Sequence, residues 1–280
     1  MSYNYTNRKL VIATKHRKEE ALTDLLVQAL GVHCIVPEGF DTDALGSFSG
    51  EVERSLSPLE CARLKCRQAM ELTGTSLSVA SEGSFGPHPK LPWIAANEEV
   101  LLFTDAENQL DIPARVLSTE TNYGQKSIDS RSQLQQFAEA HLFPSHALIL
   151  KPAVDIFEPI FKGIQTQGAL NRAYNHIKKT SGSVWVETDM RANFNPSRMK
   201  IIRACGEKLV QNLKSECPNC TAPGYMVRDR MAGLPCSSCG MPTSTAREWL
   251  YKCMVCQYEE WKANPEKETE NPQYCPFCNP

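Results

Sequence analysis

The sequence predicts an α/β fold, a mixed-sheet N-terminal domain with flanking helices, followed by a small cysteine-rich module. Two observations predict it. Residues 9–36 run from a β-branched stretch through a helix-periodic stretch to a second β-branched stretch, the opening of an α/β domain. From 215 onward the chain instead carries four Cys-x-x-Cys pairs, and nothing before Cys205 resembles that cadence. The division falls at 1–214 for the α/β domain and 215–280 for the module. A length of 280 residues suits two domains.

KLVIAT (9–14) alternates and is β-branched, so it reads as the first strand. The basic turn Lys15-His16-Arg17-Lys18 leads into a helix from Glu19 to Leu30, with Ala21, Leu22, Leu25, Leu26 and Leu30 at helical spacing. A basic cluster at a helix N-terminus is placed to hold phosphate, since side chains and dipole act together; the alternative is a solvated charged turn. VHCIV (32–36) is the second strand. The next loop carries Asp41, Asp43, Glu51 and Glu53. Ser57 caps a helix over 59–72 with Pro58 in its first turn. SLSVA (76–80) reads as a buried strand ending at Ser81-Glu82-Gly83, and a carboxylate at a strand end beside glycines suits a ligand crevice.

Residues 53–83 resemble the segment shared by the nucleoside-triphosphate pyrophosphatases that remove inosine- and xanthosine-type nucleotides. The resemblance rests on Glu60 and Lys65 in the helix, Glu82-Gly83 at the strand end, and ATKHRK (13–18) as the phosphate turn. It departs from the family's pattern in having His16 for an asparagine and Ser81 for an aspartate. It implies that Glu60 and Glu82 bind a divalent metal, magnesium or manganese, while His16, Lys18 and Lys65 bind phosphate.

Further strands are expected within 91–118, at 146–152 and at 157–164, with helices over 130–143 and 166–179. SVWVETDMRANFNPSRM (183–199) is chemically dense. An alternating strand puts Glu187 and Asp189 on one face at i and i+2, and Asn195 caps a helix that opens with Pro196 and runs to about Lys214. Glu187, Asp189 and Arg191 beside a helix N-terminus suit a metal–phosphate site, or equally a strand-end capping cluster. Over its whole length, with ETDMRANFNPSRM, ASEGSFGPHP and CPNCTAPG, the chain also resembles an uncharacterised bacterial family, a domain of unknown function ending in a zinc ribbon.

The pairs Cys217/Cys220, Cys236/Cys239, Cys253/Cys256 and Cys275/Cys278 are separated by 15, 13 and 18 residues. Each is a metal knuckle. Taken in order, the first two and the last two pairs each fit a four-cysteine zinc site, giving two structural ions. Four-thiolate sites are closed and fold a domain rather than catalyse. Disulfides are disfavoured, because MSYNYTNRKL carries no apolar signal segment and a reducing cytoplasm is expected. Cys34, Cys61, Cys66 and Cys205 read as inert thiols.

The formal charge of −2 gives no global attraction to nucleic acid, and no apolar run approaches the roughly 18 residues of a membrane span. From 216 onward six Lys/Arg face eight acids, and each zinc–thiolate centre adds a formal −2. Such a module gains little from counterion release, so a protein partner is expected before nucleic acid. The expected function is a zinc-binding protein and divalent-metal-dependent phosphohydrolase of a nucleotide-like substrate. Glu60, Glu82, Glu187 and Asp189 would be catalytic, and His16, Lys18, Lys65 and Arg191 would bind substrate. The alternative is a non-catalytic binding or adaptor protein using the zinc ribbon.

Overall fold

A computed structural model of the chain describes residues 3–40 and 56–280. Asp41, Asp43, Glu51 and Glu53 lie outside the described residues. The fold is mixed α/β and divides into two compact units, Tyr5–Val210 and a second that joins the N-terminal residues to Gln211–Pro280. Among the described residues no helix is long and apolar enough to cross a membrane.

The larger unit holds two sheets. In the first, β1 (Lys9–Ala13) lies parallel between β2 (His33–Ile35) and β3 (Leu77–His88), and β4 (Leu91–Asp105) and β5 (Leu110–Ser118) continue it antiparallel. The connection from β1 to β2 is α1 (Glu19–Leu30), which buries Ala21, Leu22 and Leu26. Next, α2 (Pro58–Thr73) starts at a full capping box, in which Ser57 receives the Glu60 N–H and Glu60 reaches back to the Ser57 N–H. Its Ala62, Cys66, Ala69 and Met70 pack on Val11, Ala13, Ala80 and Leu102. Each large apolar side chain buried in this way contributes about 1.5–3 kcal/mol.

The strand expected to stop at Ser81 does not. Pairing of β3 with β4 runs from Leu77↔Asp105 to Pro87↔Ala95, so Glu82 sits inside a strand and not at its end. The reason is topological. The β1 register ends at Ala13↔Ala80, and beyond it β3 has only β4 as partner, an edge where glycines and a proline without an N–H are tolerated. For the same reason residues 91–105, within the stretch expected to hold further strands, form the single strand β4.

The second sheet follows the order β6-β9-β7-β8, all antiparallel, from β6 (Gln125–Ile128), β7 (Leu148–Lys151), β8 (Phe161–Ile164) and β9 (Val184–Thr188). Its helices are α3 (Arg131–Ala140), capped by Ser130, and α4 (Gln167–Ser181), capped by Thr166. Leu134, Phe137, Leu170 and Ile177 of these helices close over Leu148, Leu150 and Val186. The last helix, α5 (Pro196–Lys214), begins where Asn195 Oδ1 accepts the Arg198 N–H at 3.0 Å. The smaller unit is built on an antiparallel meander of β10 (Met226–Ala232), β11 (Ala246–Lys252) and β12 (Glu259–Ala263), framed by the cysteine pairs.

Candidate functional site

In the smaller unit the eight knuckle cysteines gather into two groups, Cys217/Cys220/Cys253/Cys256 and Cys236/Cys239/Cys275/Cys278, with the sulfurs of each within 4.8 Å of one another. The pairs therefore alternate, first with third and second with fourth, a choice that the spacing alone leaves open. The reason is the meander. The turn from β11 to β12 brings the third pair to the first, and the chain after β12 returns to the second, where Cys236 bridges Glu270.

Sulfur distances fit metal ligation and not disulfides. Cys217–Cys256, Cys220–Cys253 and Cys239–Cys275 lie at 3.7 Å, and Cys236–Cys278 at 3.8 Å. A tetrahedral zinc with Zn–S bonds of about 2.3 Å requires sulfur–sulfur edges of about 3.8 Å. A disulfide requires about 2.0 Å. The donor set and its geometry fit two zinc ions.

Local backbone prepares each knuckle. The Ser238 and Val255 N–H groups point at Cys236 and Cys253 sulfur, each at 3.4 Å. The residue after the second cysteine turns left-handed in three knuckles, at Thr221 (φ 58°), Gly240 (φ 73°) and Gln257 (φ 62°). Glycine adopts that conformation freely, and a β-branched threonine does so only under strain. Tyr225 and Ala222 seal the first site, with Tyr3 and Tyr251 packed against them. Without metal the thiols frustrate one another. The Asn219 amide and then the Tyr258 N–H hold Cys256 down at about 6, while neighbouring thiols and burial push Cys278 up to about 12.

In the larger unit, side chains from β1's turn, α2, β3, β4 and α5 form a buried charged cluster. Lys18 and Lys65 are each 6% exposed, Glu82 2%, Arg198 1% and Glu99 0%. Lys65 forms an ion pair with Glu82. The Arg198 Nε donates to Glu99 Oε1 at 2.6 Å and its Nη1 to Met190 O at 2.5 Å, with the guanidinium 5.1 Å over the Phe85 ring. Gly83 makes room for this pair. A Cβ there would stand 2.5 Å from both Arg198 Nη2 and Glu99 Oε1.

Lys18 differs from the other two cations. Among the described residues its ammonium makes one hydrogen bond, 2.9 Å to Ser81 O, and no ion pair. Burial pushes its pKa down to about 7, with the Arg198 and Lys65 charges adding to the effect and Glu82 and Glu99 opposing it. Among the described residues, and with Lys18 protonated, the cluster sets three cations against two carboxylates.

Of the residues singled out in the sequence, Lys18, Lys65 and Glu82 come together, and His16 is buried in the turn that leads to Lys18. Glu60 stays exposed, its carboxylate committed to Ser57. Glu187 takes Lys151 at 2.7 Å and the Trp185 indole N–H at 3.0 Å. Asp189 takes the Arg191 guanidinium twice, at 3.0 and 2.6 Å, and the Gly163 N–H at 3.0 Å. Glu187 and Asp189 thus form strand-end pairs of their own, and Glu60 serves a helix start. Among the described residues no third group of His, Cys, Asp or Glu ligand atoms draws as close as the two cysteine groups. Glu99 and Arg198 were missed. The one signal for Glu99 is an acid sharing the alternation of Leu101 and Phe103 in a buried strand. Cys61, Cys66 and Cys205 are buried, and burial pushes the Cys66 and Cys205 thiols up to about 11 and 12.

The sequence pattern of a family described as a domain of unknown function, DUF6671, matches residues 65–280. No curated protein matches the chain.

Proposed function

The chain belongs to the DUF6671 family, and we propose that its larger unit binds a phosphorylated, nucleotide-like molecule at the Lys18–Lys65–Glu82 cluster and hydrolyses it with a divalent metal. One observation carries this reading: Lys18, a buried lysine beside two further cations that makes a single hydrogen bond among the described residues. Burying an unpaired ammonium costs several kcal/mol and gives the fold nothing in return. A phosphate oxygen supplies the missing charge and accepts the remaining donors. Perturbed groups of this kind gather at working sites.

Each residue has a part. Lys18 and Lys65 neutralise phosphate charge, and the turn through His16 presents Lys18. Glu82 and Glu99 are committed to Lys65 and Arg198, so Mg²⁺ or Mn²⁺ would enter with the phosphate it neutralises and would supply an activated water. The zinc centres are structural. At roughly 10–16 kcal/mol of apparent binding energy per ion, they make folding of the smaller unit metal-dependent.

A release assay tests the reading. Purified protein is given standard and deaminated nucleoside triphosphates with magnesium or manganese, and phosphate and pyrophosphate are followed. Turnover that disappears in Glu82→Gln while zinc content stays constant supports it. Silence across the panel from folded, zinc-loaded protein defeats the hydrolase reading.

A second reading, an adaptor role for the smaller unit, is favoured by its exposed knuckle side chains. Met254 and Val255 lie between the third pair of cysteines, and Phe277 lies within the fourth, at 55%, 44% and 60% exposure. Apolar groups at such tips suit a protein partner better than a phosphate backbone.

A further inference from the structure

Outside the charged cluster, the start of α5 carries a serine held by a histidine. Ser197 Oγ lies 2.9 Å from His146 Nε2, and the Ser197 backbone N–H also donates to that nitrogen at 3.2 Å. A ring nitrogen that accepts an N–H carries its lone pair, so the ring proton sits on Nδ1. Nδ1 is 3.0 Å from Ser145 Oγ, whose own hydroxyl donates to Leu142 O at 2.7 Å and is therefore free to accept. The donor directions thus run in one sequence. The Leu142 carbonyl orients Ser145, Ser145 orients the imidazole, and the imidazole presents a basic nitrogen to the Ser197 hydroxyl.

The base is buried, and burial, with Lys200 adding to it, keeps its pKa below the ordinary histidine value, so the ring is neutral at pH 7. Ser197 in turn lines a cavity of about 310 Å³ with Glu120, Thr121, Asn122, Leu142, Lys200 and Ile201. Lys200 and Ile201 follow Ser197 at i+3 and i+4, which puts all three on one face of α5. Among the described residues the Lys200 ammonium has no ion pair, so a cation, a carboxylate and the apolar side chains of Leu142 and Ile201 line the cavity with the serine.

We propose that Ser197 is a nucleophile activated by His146, and that this cavity accepts a small carboxylic ester with a short apolar acyl chain. Nucleophile, base and orienting group stand within hydrogen-bond reach in series, as acyl transfer requires. Ser197 Oγ adds to the ester carbonyl carbon as its proton passes to His146 Nε2. The carbonyl oxygen becomes an oxyanion, which the Lys200 ammonium neutralises. Collapse breaks the bond to the alcohol oxygen, and the Nε2 proton leaves with the alcohol. Water, deprotonated by the same nitrogen, then cleaves the acyl-serine to a carboxylic acid and restores the hydroxyl.

The experiment uses the full zinc-loaded chain, a fluorophosphonate probe read by peptide mass, and p-nitrophenyl butyrate as substrate. The probe mass is expected on Ser197, with ester turnover that falls by about 10²–10⁴-fold in His146→Gln. Ser197→Ala retains the backbone N–H to His146 and so preserves the helix start, and it should lose both labelling and turnover. Ser145 is a positioning residue. Ser145→Ala should lower kcat with KM unchanged and move the acid limb of the pH profile, which a merely structural role would not do. Absence of both labelling and turnover in the folded chain, labelling only at other residues, or undiminished turnover in folded Ser197→Ala overturns the proposal.

Discussion

Replacing Lys18 with methionine should stabilise the protein and abolish phosphate binding. The folded-state pKa of about 7 stands below the ordinary 10.5. At about 1.4 kcal/mol per unit, the charged form is disfavoured by at most about 5 kcal/mol. Relaxation around the site reduces that figure, and exchanging buried ions for packed apolar groups commonly gains about 1–4 kcal/mol. The sign follows from proton counting. Below pH 7 both folded and unfolded chains hold the proton and the penalty is complete. Between 7 and 10.5 the unfolded chain holds one proton more, so raising the pH favours the native state. Urea unfolding of wild type and Lys18→Met in phosphate-free buffer at pH 6 and pH 9 reads the effect. The variant should be about 1–4 kcal/mol more stable at pH 6, and the gap should shrink by about 1.4 kcal/mol per pH unit above 7. A variant less stable than wild type at pH 6, or a gap independent of pH, refutes the argument that burial of the Lys18 ammonium costs the fold stability.

Three further outcomes follow from the same contacts. Arg198→Met leaves Glu99 buried without its cation and should destabilise the larger unit by about 3–5 kcal/mol in denaturant melts, with Arg198→Met/Glu99→Met recovering most of the loss. Gly83→Ala drives a Cβ into the Arg198–Glu99 pair and should cost about 1–3 kcal/mol by the same assay, a loss relieved in the Arg198→Met/Glu99→Met background. Cys217→Ser/Cys253→Ser damages one alternating site and should leave one zinc per chain, whereas Cys217→Ser/Cys236→Ser damages both and should leave none, by metal analysis after dialysis.

Much of the local structure was legible in the sequence. The helix over Glu19–Leu30 announced itself through apolar spacing, and α2 through Ser57 and Pro58. Such signals act within one or two turns. The four knuckles were equally plain, since two thiolates three positions apart have few other uses. Their alternation was not, because spacings of 15, 13 and 18 residues close a four-cysteine site in either grouping. Only the strand pairing decides between them.

The charged cluster was half legible. Lys18, Lys65 and Glu82 could be picked out by type and setting. Glu99 and Arg198 stand 99 positions apart, and their pairing depends on the β3–β4 register and on the direction of α5. Glu60 shows a local contact overriding a distant one. Three residues from Ser57, its carboxylate satisfies the helix start and is thereby held away from the buried cluster. Glu187 and Asp189 were read by strand alternation alone, but β9 ends at Thr188, and the turn that follows gives Asp189 to Arg191 and Gly163.

Calorimetric titration of a nucleoside triphosphate and of inorganic pyrophosphate into zinc-loaded wild type and Lys18→Met, with magnesium present, tests the central claim most directly. Saturable binding to wild type that is lost in a folded Lys18→Met carrying two zinc ions is the predicted result. Heat of binding unchanged by the substitution, or none in either protein, would contradict a phosphate site at Lys18.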